Sequence, residues 1–79
     1  MGLMYSLSSH AVDDILAMDD YDTMYVENGW SFQRVPSRTK HRRYAICYGR
    51  RCAEIAVTDT HTRYNFVRQL KERMRRLRR

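Results

Sequence analysis

Two histidines in the second half of the chain stand where they could serve phosphate chemistry. His41 lies in a basic segment, and His61 stands just before a helical pattern. Two imidazoles with arginines can supply a general base, a general acid and cations for a phosphate, which is the equipment of a small metal-free endoribonuclease. No motif makes the two rings converge, and the chain lacks a glycine-rich phosphate loop, a paired-carboxylate motif and a nucleophile elbow. We therefore expect no catalytic residues and no enzyme.

The two cysteines are the other residues that could do chemistry. With the histidines they form the pattern H-x5-C-x4-C-x8-H from His41 to His61, which is not a usual zinc spacing. We expect Cys47 and Cys52 to be small buried thiols in a reducing cytoplasm. A cross-strand disulfide is sterically conceivable, but that compartment disfavours it. No metal site and no cofactor are predicted.

Clusters of basic residues are the stronger signal. They lie in a loop around residues 38–43, at a turn around residues 50–51, and in the last dozen residues, where seven bases accompany one acid. Guanidinium groups fork onto phosphate oxygens, so we expect these segments to contact a nucleic-acid backbone. The predicted contact residues are Arg38, Lys40, His41, Arg42, Arg43, Arg50, Arg51, Arg68, Lys71, Arg75, Arg76, Arg78 and Arg79.

The charge is divided unequally between the two halves of the chain. Residues 1–35 hold six acids and one base, whereas residues 36–79 hold fourteen Lys or Arg and three acids, within a net charge of +6. A neutral scaffold mixes its signs. This asymmetry indicates a positive surface for a polyanion and an acidic surface with another role.

The elements that must position these residues can be read from local patterns. Ser8 and Ser9 precede a short helical pattern from His10 to about Met18, which we expect to stop by Asp19. Asn28-Gly29 between β-prone runs predicts a type I′ hairpin that pairs Tyr25 with Phe32. After Pro36 and the basic loop, a second hairpin from Arg43 to Val57 turns at Gly49-Arg50, places Cys47 opposite Cys52, and is compatible with type II′.

The last element is an amphipathic helix, predicted from His61 to Arg78 with an N-cap among residues 58–60. Phe66, Val67, Leu70, Met74 and Leu77 form its apolar stripe. The order α-β-β-β-β-α predicts one α+β domain over residues 1–79, with a four-stranded antiparallel sheet of two hairpins packed on both helices. We expect residues 1–7 and 78–79 to be frayed.

Aromatic residues have two readings in this fold. Tyr25, Trp30 and Phe32 share one face of the first hairpin and could stack bases, but so small a domain needs them as its core, and we favour the core. Tyr44, Tyr48 and Tyr64 are candidates for stacking at the periphery.

A partial family resemblance follows the first hairpin. The order of a helix, Asn28-Gly29-Trp30, a strand and a basic loop with His41 resembles the HicA-type toxin ribonucleases, whose fold is similar to double-stranded-RNA-binding domains. The resemblance covers roughly thirty residues. An extra strand precedes Asn28 here, and the Gly-Ser-His of that family is missing before His41, so the activity is not carried over.

Three functions follow, in order. The first is a non-catalytic protein that binds DNA or RNA by charge and shape, without reading bases. The second is a phage-type, anti-CRISPR-like inhibitor or adaptor that contacts host nucleic-acid machinery, with its acidic half as a second contact surface. The third is the endoribonuclease. No stretch is long enough to span a bilayer, so we expect a cytoplasmic protein, with an exposed sheet edge or Met24 and Val26 available for a homodimer.

Overall fold

A computed structural model describes residues 7–19 and 21–79 and confirms the predicted α+β architecture. Its helices are α1 (Ala11–Leu16) and α2 (Thr62–Leu77). Its strands are β1 (Met24–Glu27), β2 (Trp30–Val35), β3 (Arg42–Tyr48) and β4 (Arg51–Val57), which form one antiparallel sheet in the order β1-β2-β3-β4.

Both hairpins have the predicted register. Tyr25 pairs with Phe32 across the first turn, and Cys47 pairs with Cys52 across the second. Asn28 and Gly29 have φ values of 51° and 87°, as a type I′ turn requires, because both central residues need the left-handed region. Gly49 has a φ of 63°, which a type II′ turn requires at its first position. Short turns therefore fix which side chains face the helices.

The hydrophobic core lies between one face of the sheet and both helices. Ala11, Val12 and Ile15 of α1 and Phe66 and Leu70 of α2 are fully buried. They pack in one cluster with sheet residues that are also fully buried, namely Trp30, Phe32, Tyr44, Ile46 and Ile55. Leu7, in the segment expected to be frayed, belongs to this cluster and is 3% exposed. Among residues 7–19 and 21–79, no helix covers the opposite face of the sheet.

Helix α1 begins one residue later than predicted and is not capped by a serine. His10 occupies the N-cap without a side-chain cap hydrogen bond. The Ser8 backbone N–H and hydroxyl instead bind the Glu27 carboxylate at the end of β1. The helix ends at Leu16, in agreement with the expected stop before Asp19.

Cationic side chains from the sheet close the C-terminal end of α1. Arg42 Nη1 donates to the Leu16 carbonyl oxygen at 3.2 Å, and Arg34 Nη1 donates to that of Met18 at 2.9 Å. A helix C-terminus presents unpaired carbonyls and partial negative charge, which arginines complement. Arg34 also lies 3.4 Å from Asp19 Oδ1. Arg34 and Arg42 therefore help to hold α1 against the sheet.

One prediction about the sheet's periphery is wrong. Cys47 and Cys52 are joined by a disulfide instead of being buried thiols, and Cys52 is exposed. Paired across a tight hairpin, their side chains meet on the face without helices. Of the two edges of the sheet, that of β4 is covered, because Gln69 and Arg73 of α2 hydrogen-bond the outward backbone groups of Ala56 and Glu54.

Neither helix in residues 7–19 and 21–79 combines the length and the apolar character that a bilayer-spanning helix needs.

Candidate nucleic-acid interface

The solvent side of α2 carries a row of exposed residues without ion-pair partners. Phe66, Leu70, Met74 and Leu77 face the sheet, so the 3.6-residue period places Tyr64, Arg68, Lys71 and Arg75 on the outside. We call these four residues the outer stripe. They border one shallow surface depression, and Tyr64 is 69% exposed. Tyr64 to Arg75 spans about 16 Å along the axis at 1.5 Å per residue.

The single acid of α2 does not neutralise the outer stripe. Glu72 is bound by Arg73 and lies 3.7 Å from Arg76 Nη2. Arg73 also contacts β4, through the Glu54 carbonyl oxygen. Within the part of the chain that the structure describes, Arg68, Lys71 and Arg75 have no carboxylate within salt-bridge distance. Glu72 also borders the depression of the outer stripe, but its printed ion pairs are with Arg73 and Arg76, so the outer stripe is a predominantly positive surface on a helix.

The basic loop lies away from the outer stripe. Residues 36–41 connect β2 to β3 at one end of the sheet, and Arg50 stands at the turn at the other end. The length of β3 puts about 20 Å between these ends. Arg38 and His41 border a depression with Arg43 and Ala56, whose side chains lie on the sheet face without helices. The basic residues thus form separate surfaces on opposite sides of the sheet.

Several predicted contact residues are engaged inside the molecule. Arg42 belongs to β3 on the face that packs against the helices, and its guanidinium binds Leu16. Arg43 binds Glu54 through Nε and Nη2, at 2.6 Å and 2.5 Å. Arg51 Nη1 donates to the carbonyl oxygen of Arg79. Arg76 pairs with Glu72, and Arg78 also takes part in an interaction within the chain. These side chains therefore already have partners within the chain.

Apart from His41, the other predicted contact residues are exposed cations whose side chains have no such internal contact. Among the predicted contact residues, and within residues 7–19 and 21–79, no ion pair or hydrogen bond occupies the side chains of Arg38, Lys40, Arg50, Arg68, Lys71, Arg75 and Arg79. Of these, Arg68, Lys71 and Arg75 share one continuous surface.

The sheet offers no aromatic platform for bases. Trp30 and Phe32 are fully buried against the helices, and Tyr25 is half-buried beside Phe32 with ring centroids 6.3 Å apart. Tyr44, expected at the periphery, is fully buried against Phe66, with centroids 5.3 Å apart. The positions of the four strands that lie on the uncovered face hold no aromatic residue; they include Ser31, Gln33, Arg43 and Ala45. Of the peripheral stacking candidates, only Tyr64 is exposed.

The histidines occupy different structural positions. His41 is exposed in the loop, where Nδ1 lies 3.1 Å from Thr39 Oγ1. His61 is the N-cap of α2, in the left-handed region with a φ of 51°. Only His41 borders the depression beside Arg43. In the described residues no group of three or more His, Cys, Asp or Glu side chains is arranged to hold a metal ion.

The acidic half contains one pair with shifted titration. Tyr25 donates a hydrogen bond to Glu27 Oε1 at 2.7 Å. This bond is the main cause of the lowered pKa of the Glu27 carboxyl, and the Ser8 bonds add to it against the effect of burial. The same bond, with burial, raises the pKa of Tyr25. The pair ties the segment before α1 to β1.

Sequence reasoning missed the polar residues that organise the loop. Ser37 and Thr39 stand at alternate positions before His41 and hydrogen-bond to one another and to the loop backbone. Hydroxyl residues spaced by two in a turn are the signal that could have revealed them. Comparison with known proteins adds no candidate: no family model, no curated protein and no solved structure matches this chain.

Proposed function

We propose that this protein binds nucleic acid without catalysis, by contacts between the outer stripe and the phosphate backbone. One observation carries the proposal: Arg68, Lys71 and Arg75 lie on one exposed face of α2, and no carboxylate among the described residues lies within salt-bridge distance of them. Cations at this spacing on a rigid helix meet successive phosphates and release condensed counterions. Tyr64, one turn before Arg68, supports the proposal because an exposed ring can stack on an unpaired base.

Recognition in this proposal rests on charge and shape. Helix-borne arginines contact phosphates of any sequence, and the buried aromatic residues of the sheet leave no surface for reading bases in series. Arg42, Arg43 and Arg51 are less suited to phosphate contact because internal partners hold them. The site we propose is therefore narrower than the sequence predicted and is centred on α2.

A salt series with matched charge removals tests this proposal. The ligands are a short duplex and a short single strand, each as DNA and as RNA with hydroxyl ends, titrated by fluorescence anisotropy. We expect log Kd to depend linearly on log salt. The variant Arg68→Gln/Lys71→Gln should reduce the slope by about 1.8 on a duplex or about 1.4 on a single strand.

The control is Lys40→Gln/Arg50→Gln, which removes the same charge from exposed side chains outside α2. It should change the slope by less than half as much. If the two double variants weaken binding equally, net charge and not the outer stripe governs binding, and the proposal fails. Hydrolysis of the RNA that disappears in His41→Ala would replace it with the endoribonuclease hypothesis.

The inhibitor or adaptor hypothesis is supported by a different surface. Tyr21, Met24 and Val26 are 45%, 55% and 64% exposed around β1, far more than large apolar residues in a closed core. A partner protein would use this apolar patch, and the same residues could form a homodimer. The discriminating variant is Met24→Lys/Val26→Lys: loss of a stoichiometric protein complex, with nucleic-acid binding intact, favours the inhibitor.

We still propose a cytoplasmic location for the protein, but for a different reason. The expectation of free thiols no longer supports it, because Cys47 and Cys52 form a disulfide. The remaining argument is that the proposed ligand, nucleic acid, is found in the cytoplasm. Alkylation of the protein in intact cells tests it, since a reducing compartment should yield two modified cysteines and an oxidising one should yield none.

A further inference from the structure

The depression beside the β2–β3 loop has the composition of an oxyanion site. It encloses about 560 Å³, a volume in the range of small-ligand sites. The residues that line it include Arg38, Arg43 and His41, together with the hydroxyl residues Ser37 and Thr39. Arg38 has no ion-pair partner among the described residues, and its exposed side chain is free to close on a ligand.

Hydrogen bonds within the loop fix how His41 is presented. The Thr39 N–H donates to Ser37 Oγ at 3.3 Å, and the His41 N–H donates to Thr39 Oγ1 at 3.1 Å. Ser37 Oγ lies 3.3 Å from Thr39 Oγ1, which lies 3.1 Å from His41 Nδ1. Two arrangements satisfy all four contacts: Ser37 donates to Thr39 and Thr39 to Nδ1, or Nδ1–H donates to Thr39 and Thr39 to Ser37. In the first arrangement the ring proton is on Nε2, where it can donate to a ligand.

The remaining donors favour an anion with three terminal oxygens. Glu54 binds Nε and Nη2 of Arg43, which leaves Nη1 for a ligand. Arg38, His41 and Arg43 border the same depression, so three separate side chains can each supply a donor to one anion. A phosphate monoester or free phosphate exposes three such oxygens, whereas an internal phosphodiester exposes two. The Glu54 carboxylate is already paired and does not border the depression.

We propose that this depression is a phosphate site, separate from the outer stripe, which binds a terminal phosphate monoester or free phosphate through Arg38, His41 and Arg43. Its location on the uncovered side of the sheet makes it independent of α2. The proposal therefore survives if the outer stripe proves not to bind nucleic acid, and each site can fail alone.

Amide chemical-shift mapping with inorganic phosphate at constant ionic strength tests the site. We expect the changes to concentrate on residues 37–43 and Ala56, with saturation. Arg38→Gln, at an exposed position that should leave the fold intact, should raise the Kd for phosphate about tenfold. His41→Ala, which removes the imidazole ring, should also raise the Kd for phosphate. Arg68→Gln/Lys71→Gln is the matched control and should leave the phosphate affinity unchanged.

Oligonucleotides then separate the two sources of phosphate. A strand with a 5′- or 3′-phosphate that binds more tightly than its hydroxyl-ended counterpart, with the difference abolished in Arg38→Gln, supports a terminal monoester. Saturable inorganic phosphate without that difference supports free phosphate at the same site. Linear, unsaturated shifts, shifts centred on α2, or an unchanged affinity in Arg38→Gln would overturn the proposal.

Discussion

Gln69 of α2 forms two hydrogen bonds with the backbone of Ala56 on the edge strand β4. The Ala56 N–H donates to Gln69 Oε1 at 3.3 Å, and Gln69 Nε2 donates to the Ala56 carbonyl oxygen at 2.7 Å. The side-chain amide thus replaces the neighbouring strand that this position lacks. One turn later, Arg73 Nε donates to the Glu54 carbonyl oxygen at 3.3 Å. An open strand edge invites pairing with other chains, and α2 occupies this one.

Gln69→Leu should therefore destabilise the protein and expose the β4 edge. Two backbone groups lose their partners, so we expect the free energy of unfolding to fall by about 1–2 kcal/mol. Trp30 is the only tryptophan and is fully buried, so its fluorescence during urea denaturation reports the change. Light scattering should also show more self-association. The adjacent exposed change Arg68→Gln is the control, and equal stability of the two variants would show that the Ala56 bonds contribute little.

The sequence predicted the sheet well because short-range signals determine it. Asn28-Gly29 and Gly49-Arg50 set both registers, and the period-2 alternation of Tyr44, Ile46 and Tyr48 then identified the buried face. The same alternation, continued two residues before Tyr44, places Arg42 on that face. Arg42 was assigned to the loop because the strand was expected to begin at Arg43.

The candidate site was harder to predict, because arginines that are available to a ligand and arginines that stabilise the fold differ only in their partners. Arg68 and Arg73 are both helical arginines, but one is exposed without an anion and the other binds Glu72 and the edge of β4. That distinction depends on which side of α2 faces β4, a tertiary relationship that spacing alone leaves open. The disulfide was missed for another reason: an assumed compartment overrode the predicted Cys47–Cys52 register.

Reduction of the disulfide should lower stability without unfolding the domain. Cys47 and Cys52 are five residues apart, so the chain-entropy model assigns their cross-link at most about 2 kcal/mol. The hairpin ladder remains after reduction and preserves the register. We expect a lower thermal midpoint in reductant, with the same far-UV circular dichroism. Cys47→Ala/Cys52→Ala should show no response to reductant. A reduced protein that loses its β-sheet signal would contradict this expectation.

The Tyr25–Glu27 pair should contribute to acid sensitivity. Because the pKa of the Glu27 carboxyl is lower in the folded chain than its ordinary value of 4.5, protonation opposes folding. Its contribution is complete above that ordinary value and is lost as the pH falls through the lowered folded pKa. Glu27→Gln should flatten this part of the stability curve measured by urea denaturation at several pH values. Asp59→Asn, an exposed change outside the pair, should leave the curve's shape intact; parallel curves for wild type and Glu27→Gln would refute the coupling.

Substitution of Arg42 and of Arg68 should distinguish an arginine that stabilises the fold from one that binds the ligand. Arg42 is half-buried, and its bond to the Leu16 carbonyl oxygen helps to hold the end of α1, together with the Tyr44 hydroxyl 3.4 Å from the same atom. Arg42→Gln should lower the free energy of unfolding by about 1–2 kcal/mol, because a charge-assisted bond at a helix terminus is lost. Its nucleic-acid affinity should stay within twofold of wild type at temperatures where the variant is folded.

Arg68→Gln should show the opposite behaviour. Its side chain is exposed and lacks an ion-pair partner in the described residues, so stability should change by less than about 0.5 kcal/mol. Its affinity should fall, and the salt slope should decrease by about 0.9 on a duplex. Both variants lose one positive charge, so a response to net charge alone would make their affinities equal. A difference between them must come from where each guanidinium lies: one is held under α1 by Leu16, and the other projects from the outer stripe.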